Sequence, residues 1–251
     1  RVVCAMTDPN PKVNGRGIQM LRNAGIAVDV GLYEKYATCL NLGFIKRMSS
    51  GRPFVWIKNA TSLDGKIAMS SGESKWISGP ESRRDIHWLR GRVGALITGV
   101  DTIIADDPKL TFRPDELGLT IDAPQPIRVI LDSKARLPAA AQIFDAEGDI
   151  IWVTCSQKSH SQLRGGRITC WNIPGVDGRV DLEELLTRLA NQGINEVLVE
   201  AGQILSGAFL KSGLIDRGVT YFAPKFLGAS ARSLYDISPI LITNAPQVSV
   251  E

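Results

Sequence analysis

A succession of short, almost continuous apolar runs constrains this chain more than any other feature. They fall at residues 54–57, 95–98, 128–131, 149–154, 196–200 and 218–223, with a further strand expected at 167–172. Strands buried on both faces read in this unbroken way, whereas strands with one wet face alternate. Helical patterns separate several of them. One follows Ser78, which fits an N-cap, with Pro80 early in the helix and Glu81 completing a capping box. Ile86, Leu89 and Val93 give that helix an apolar stripe. A second spans 181–192, with Leu182, Leu185, Leu186 and Leu189 on one side, and a third opens at Gly202 and runs to about 212. Residues 102–105 read as a short helical or irregular piece. Strand and helix alternating at this spacing predict an α/β fold with a largely parallel sheet covered on both faces.

The first 50 residues read differently, as β-α-β-α. Strands are expected at 2–6 and 26–30, and a short helix at 17–24 closed by Gly25. A longer helix is expected at 33–48, from apolar positions Tyr36, Cys39, Leu40, Leu42, Phe44 and Ile45. The run Ser49-Ser50-Gly51-Arg52-Pro53 reads as a linker, so a boundary is placed near residue 50. The chain opens on Arg1 and an abrupt apolar run, and its last residues, 248–251, look like a cut strand. Both features predict a piece of a longer protein.

Composition narrows the classes. A net charge of +3 with no Lys/Arg run beyond pairs such as Arg83-Arg84 argues against a nucleic-acid binder. No apolar run approaches the roughly 18 residues of a spanning helix, and no signal-peptide pattern is seen, so the expectation is a cytoplasmic protein without a membrane partner. Cys4, Cys39, Cys155 and Cys170 form no C-x-x-C pair, which argues against a zinc cluster. They read as reduced, mostly buried thiols.

Chemistry is sought in the loops. Residues 60–113 collect polar and glycine positions between apolar runs, where a rigid scaffold presents binding groups. The strand at 196–200 runs through Gly202 into a helix, and helix N-termini attract phosphate. Gly202 and Gly207 have P-loop spacing, but Ala208-Phe209 stand where Lys-Ser would grip phosphate and magnesium. Nucleoside-triphosphate hydrolysis is therefore unsupported, and a plain strand–loop–helix turn remains the alternative. Arg90 and Arg113 could fork onto phosphate or simply be solvated. Trp76 fits core packing by base rate, Asp64-Gly65 fits a turn, and Asp106-Asp107 could cap or turn the chain. Only His87 and His160 are present, without a supporting serine motif, so a Ser-His-Asp hydrolase is not expected.

Together these segments resemble the reductase domain of the bifunctional riboflavin-biosynthesis deaminase–reductase family. The matching stretches are 58–66, 71–78, 98–113, 130–133, 199–208, Ala223-Pro224-Lys225 and Leu227-Gly228. Residues 1–50, with Asp8-Pro9-Asn10-Pro11, Gly15-Arg16-Gly17 and Gly43-Phe44-Ile45-Lys46-Arg47, resemble the last part of that family's deaminase domain plus linker, and 51–251 the reductase domain. The resemblance implies a dihydrofolate-reductase-like fold with a mixed, mainly parallel sheet flanked by helices, preceded by a partial deaminase-type β-α-β-α segment. It implies NADPH-dependent reduction of the ribosyl group of 5-amino-6-(5-phosphoribosylamino)uracil to ribityl, in a homo-oligomer. It implies cofactor contacts at Ala60, Trp76, Thr102, Asp106, Ser133, Gly202, Gln203, Ile204, Leu205, Ser206, Gly207 and Ala208, and substrate contacts at Ser74, Arg90, Leu110, Arg113 and Glu200. Arg90 and Arg113 would hold the substrate's phosphate, and Glu200 would accept a substrate hydrogen bond. No residue is assigned as catalytic, since hydride chemistry belongs to the nicotinamide. The family's zinc motifs, His-x-Glu and a Pro-Cys segment, do not occur here, so no metal ligand is expected in these residues and zinc would belong to a missing deaminase portion. A pterin reductase of the same fold and a non-catalytic scaffold stay open as rivals.

Overall fold

Apolar runs that cannot face water dictate the centre of this protein, as seen in a computed structural model that describes residues 1–156, 167–238 and 245–249. Contacts divide the chain into two compact units, Arg1–Phe54 with Leu186–Glu196, and Val55–Leu185 with Val197–Glu251.

In the first unit, β1 (Val2–Cys4) pairs in parallel with β2 (Val28–Val30), with α1 (Arg16–Asn23) between them. The helix expected over 33–48 is two helices, α2 (Glu34–Leu40) and α3 (Leu42–Ser50). They break at Asn41, whose φ of −132° leaves the helical region. Asn competes with helix through its own polar side chain. The restart brings Gly43 against Asn195, whose carbonyl oxygen would lie 2.8 Å from any added Cβ.

Among the described residues of the second unit, a seven-stranded sheet is formed by β3 (Phe54–Ser62), β5 (Ala95–Gly99), β6 (Ile127–Leu131), β7 (Ile150–Thr154), β8 (Ile168–Asn172), β9 (Glu196–Glu200) and β10 (Arg217–Ala223). Its order is β10-β3-β9-β5-β6-β7-β8. The pairs β10–β3, β9–β5, β5–β6, β6–β7 and β7–β8 are all parallel. A small antiparallel pair, β4 (Lys66–Ala68) with β11 (Arg232–Ser233), was not legible in the sequence. The α-helices of this unit are α4 (Pro80–Arg92), α5 (Val100–Asp106) and α7 (Gln203–Lys211), while α6 (Leu182–Asn191) starts in it and ends in the first unit. No helix among the described residues is long and apolar enough to cross a membrane.

The runs of the inner strands are buried as expected: Val129, Ile130, Val153, Val197, Leu198 and Val199 are fully enclosed. The run at 218–223 and the strand at 167–172 are not: they form the sheet edges β10 and β8, where Ala223 alone is buried and Phe222 is exposed. Strand β3 extends five residues past its apolar run. Its second half buries polar groups instead: Asn59 donates to the Tyr235 hydroxyl at 2.9 Å and Thr61 to the Lys66 carbonyl at 3.1 Å. Helix α4 starts one residue later than the capping box predicts, with Gly79 as N-cap and no side-chain cap. The Ser78 carbonyl accepts from Arg83 at 2.9 Å. All four cysteines are free, but none is buried. Cys39 and Cys170 are exposed because α2 buries none of its residues and β8 is an edge strand. Cys4 and Cys155 are only partly covered. His160 and the final residues 250–251 lie outside the described residues; 248–249 are not in a strand.

Candidate active site

Strand β9 enters the sheet between β3 and β5, after the chain has already built β5 through β8. Crevices form in parallel sheets at the carboxyl ends of strands where the winding order changes. Here the carboxyl ends of β3, β5, β6 and β9 line one cleft of about 1810 Å³. Its walls carry ten Lys/Arg side chains against six Asp/Glu, although the whole chain differs by only three charges. Such a cleft focuses a positive field on an anionic ligand.

The structure brings most of the expected residues together. Ala60, Ser74, Trp76, Arg90, Thr102, Asp106, Leu110, Arg113, Ser133, Glu200, Gly202, Gln203, Ile204, Leu205 and Ala208 all line the cleft. Ser206 and Gly207 do not. Ser206 is fully buried, its hydroxyl donating to the Ala201 carbonyl at 3.2 Å. A Cβ on Gly207 would lie 2.7 Å from the Asp236 carbonyl oxygen, so this glycine serves a backbone crossing.

Local geometry explains the glycine turn. Gly202 caps α7 in extended conformation, and a Cβ there would meet nothing within 4 Å. Ser206 is the first amide to bond back along the helix, to the Gly202 carbonyl. The N–H groups of Gln203, Ile204 and Leu205 therefore lack intrahelical partners at the end where the dipole is positive.

At the end of β9, Glu200 is closed on Arg90. Nε donates to Oε1 at 2.7 Å and Nη2 to Oε2 at 3.0 Å, while Nη1 donates to the Thr111 carbonyl at 3.0 Å. Burial alone would push the Glu200 carboxyl up, but Arg90 overrides it, with Lys58 and His87 assisting, and holds the group below the ordinary carboxylate range. Burial pulls the Arg90 guanidinium down, and the charge and hydrogen bonds of Glu200 override it and raise the group further. The fork that the resemblance assigns to substrate phosphate is thus already committed to a carboxylate. Lys58, on β3, shares this corner; burial pulls its ammonium down, opposed by Glu200 and aided by Arg90. A lysine inside a strand gives no sequence signal of such a role.

Around the rim, Ser74 donates to Asp106 at 3.5 Å, and the Lys75 ammonium lies 3.9 Å from the same carboxylate. Trp76 is exposed, not core, and the Arg83 guanidinium stacks over its ring at 4.3 Å. Asp107, in left-handed conformation, accepts from the Gln142 N–H at 2.8 Å and so turns the chain. Asp64-Gly65 forms the expected turn, with Gly65 at φ +73°. Asp64 also accepts from Gly228 at 2.8 Å, and its carboxyl is held down to about 2, first by the Ser62 hydroxyl and then by backbone N–H groups.

His87, which from its place on a helix reads as a surface or satisfied histidine, is buried, and its Nδ1 accepts from the Arg113 N–H at 3.1 Å. Burial, then the charges of Arg90 and Arg113, lower its pKa from 6.5 to about 4. On acidification the unfolded chain therefore protonates first. The stability this residue contributes is complete above pH 6.5 and is lost as pH falls toward about 4. Tm measured by calorimetry should fall across that window, and the fall should be shallower in a His87→Gln variant.

Comparison with known proteins agrees with this architecture. Residues 53–250 match the family described as the RibD C-terminal domain. The riboflavin biosynthesis protein RibD of Escherichia coli (strain K12) is 41% identical over 98% of this chain and 69% of its own length. The structure of Acinetobacter baumannii RibD, form 1, superposes with a TM-score of 0.86 at 43% identity, covering 97% of this chain and 66% of that one. A Thermotoga maritima structure titled as a diaminohydroxyphosphoribosylaminopyrimidine deaminase/5-amino-6-(5-phosphoribosylamino)uracil reductase gives a TM-score of 0.81 at 30% identity, over 96% of this chain and 64% of that one. The chain thus spans about two thirds of the length of these relatives. The dihydrofolate-reductase-like sheet expected from the sequence is the fold these relatives share. The chain belongs to the RibD family, whose C-terminal domain it contains.

Proposed function

We propose that this chain carries the reductase activity of riboflavin biosynthesis, converting the ribosyl group of 5-amino-6-(5-phosphoribosylamino)uracil to ribityl with NADPH. The observation that carries this reading is the buried Glu200–Arg90 pair beside Lys58, in a cationic cleft that also receives the open N-terminus of α7. Family membership brings a small-molecule substrate and a nucleotide cofactor.

The residues fit a dinucleotide phosphate. Gln203, Ile204 and Leu205, whose N–H groups lack intrahelical partners, line the cleft beside Gly202, where an added Cβ would meet nothing. Ala60, Trp76, Thr102, Asp106 and Ser133 are proposed to complete the cofactor contacts. NADPH, when bound, supplies a hydride. The protein's own groups position the reactants and manage protons. Glu200, held ionised and oriented by Arg90, accepts a hydrogen bond from a substrate hydroxyl. Lys58 supplies a cation, and a mobile proton, a few atoms away. Ser74, Leu110 and Arg113 are proposed to hold the substrate, with Arg113 carrying its phosphate. Arg90 acts through Glu200. Zinc-dependent deamination is not assigned to these residues, which lack the His-x-Glu and Pro-Cys motifs of the family's zinc site. Residues 1–50 are proposed to be the tail of a deaminase domain.

Mixing the protein with NADPH and the aminouracil substrate should cause loss of reduced-nicotinamide absorbance. Oxidation with dihydrofolate alone, or with neither compound, would refute the proposal.

A further inference from the structure

His87 is a buried residue of the cleft wall that the family resemblance leaves unassigned. Its ring is buried beneath the segment that leads into Arg113, and that segment is tied down by several contacts. The Phe112 N–H donates to Gln125 Oε1 at 2.8 Å, and the Phe112 carbonyl accepts from Gln125 Nε2 at 2.9 Å. Gly91 lets the Phe112 ring close onto α4, since an added Cβ would lie 2.8 Å from it. Phe112 in turn lies 6.4 Å, centroid to centroid, from the His87 ring.

Two contacts follow, one on each ring nitrogen. The Arg113 backbone N–H donates to Nδ1 at 3.1 Å, and Arg113 Nη2 lies 3.1 Å from Nε2. A backbone N–H can only donate, so Nδ1 must accept. A neutral imidazole then carries its hydrogen on Nε2. A guanidinium also only donates. The ring is held neutral at ordinary pH by its burial and by its two arginine neighbours. At the Nε2 contact, two N–H groups therefore point toward one another with no acceptor between them. The other end of the guanidinium is tied to Glu116 by an exposed ion pair of 3.0 Å, which holds it only weakly.

Both donors line the cleft, so the acceptor they lack can come from a ligand. We propose that His87 Nε2–H and the Arg113 guanidinium form one two-donor site for a phosphate oxyanion, which on the reading above is the phosphate of the substrate. The site is built by the fold: the His87 hook on the Arg113 backbone fixes the tautomer that presents Nε2–H. Arg113 swings from Glu116 to the anion, and His87 stays in place.

The test has two arms. The chain contains only two histidines, so their ring nitrogens are assignable by ¹⁵N NMR, with a His87→Asn variant identifying the His87 signals. In the wild-type protein near neutral pH the expected form is Nε2–H with Nδ1 bare, and adding inorganic phosphate should shift the His87 Nε2 signal. A proton on Nδ1, or no response to phosphate, overturns the proposal whatever the enzyme's activity. The second arm is kinetic. His87→Asn keeps an acceptor for the Arg113 backbone but removes the Nε2 donor. KM for the phosphorylated substrate should rise about tenfold or more, with kcat and the KM for NADPH unchanged. The dephosphorylated substrate should be unaffected. His87→Gln, whose amide reaches the Nε2 position, should recover much of the loss. Equal weakening of both substrates, or a rise confined to NADPH, overturns the proposal. Failure of the wild-type enzyme to oxidise NADPH with the aminouracil would instead remove the functional reading and leave the phosphate titration to decide the site.

Discussion

Glu200→Gln should lower kcat by a factor of about 100 or more, the scale of a lost proton-handling group. The change is nearly isosteric, so the shape of the cleft is kept. What disappears is the charge that Arg90 grips at 2.7 and 3.0 Å and that Lys58 faces across the corner. Two partly or wholly buried cations then share a site without an anion. Breaking a buried pair from one side costs about 3–5 kcal/mol. The variant should therefore also unfold at lower urea than wild type. Steady-state kinetics and urea melts on the same preparation check both parts. A variant with wild-type kcat would show that the pair is structural only.

Arg128→Met should cost about 3 kcal/mol or more of stability with little direct effect on the cleft. Arg128 is fully buried at the start of β6, and among the described residues no carboxylate is hydrogen-bonded to it. Its guanidinium donates to the carbonyls of Ile143 and Gly148 at 2.7 Å, of Ala146 at 3.2 Å and of Lys109 at 3.4 Å. It thus staples residues 143–148 to the chain before Leu110. Burial pulls its pKa down to about 10, so it stays charged at neutral pH. Methionine can fill the aliphatic volume, but it leaves those carbonyls without donors. Chemical denaturation measures the effect; a loss under about 1 kcal/mol would show that water or rearrangement replaces the staple.

The inner strands were legible because they are buried on both faces and therefore read as unbroken apolar runs, while the edge strands β8 and β10 are largely exposed. Strand β3 shows the limit. Its first half reads plainly, while Lys58, Asn59, Thr61 and Ser62 are hidden, since nothing local says that Tyr235 or the Lys66 carbonyl will satisfy their polar groups. The break at Asn41 was missed because apolar periodicity carries on through it, whereas packing of Gly43 against Asn195 depends on a residue 152 positions away. In the cleft, the glycine turn was visible as strand, glycine and helix. Ser206 and Gly207 were not separable from it, because which side of a helix faces a neighbour is set by tertiary packing, here of Gly207 against Asp236, which leaves Ser206 buried on its own turn with Ala201. The basic character of the site was invisible as well: its ten cations are scattered from Lys58 to Arg232, and only the fold gathers them. Arg90 was found, but its partner Glu200 lies 110 residues away, so the pairing could not be read.

We propose that a phosphoribosylaminouracil is reduced by hydride transfer in this cleft. Supplying NADPH deuterated at the transferable position and weighing the product by mass spectrometry tests it most directly. The label should appear in a ribityl product, at the carbon that was the anomeric centre, in step with NADPH consumption. NADPH consumed without label in the ribityl carbon, or substrate recovered unchanged, would contradict the claim.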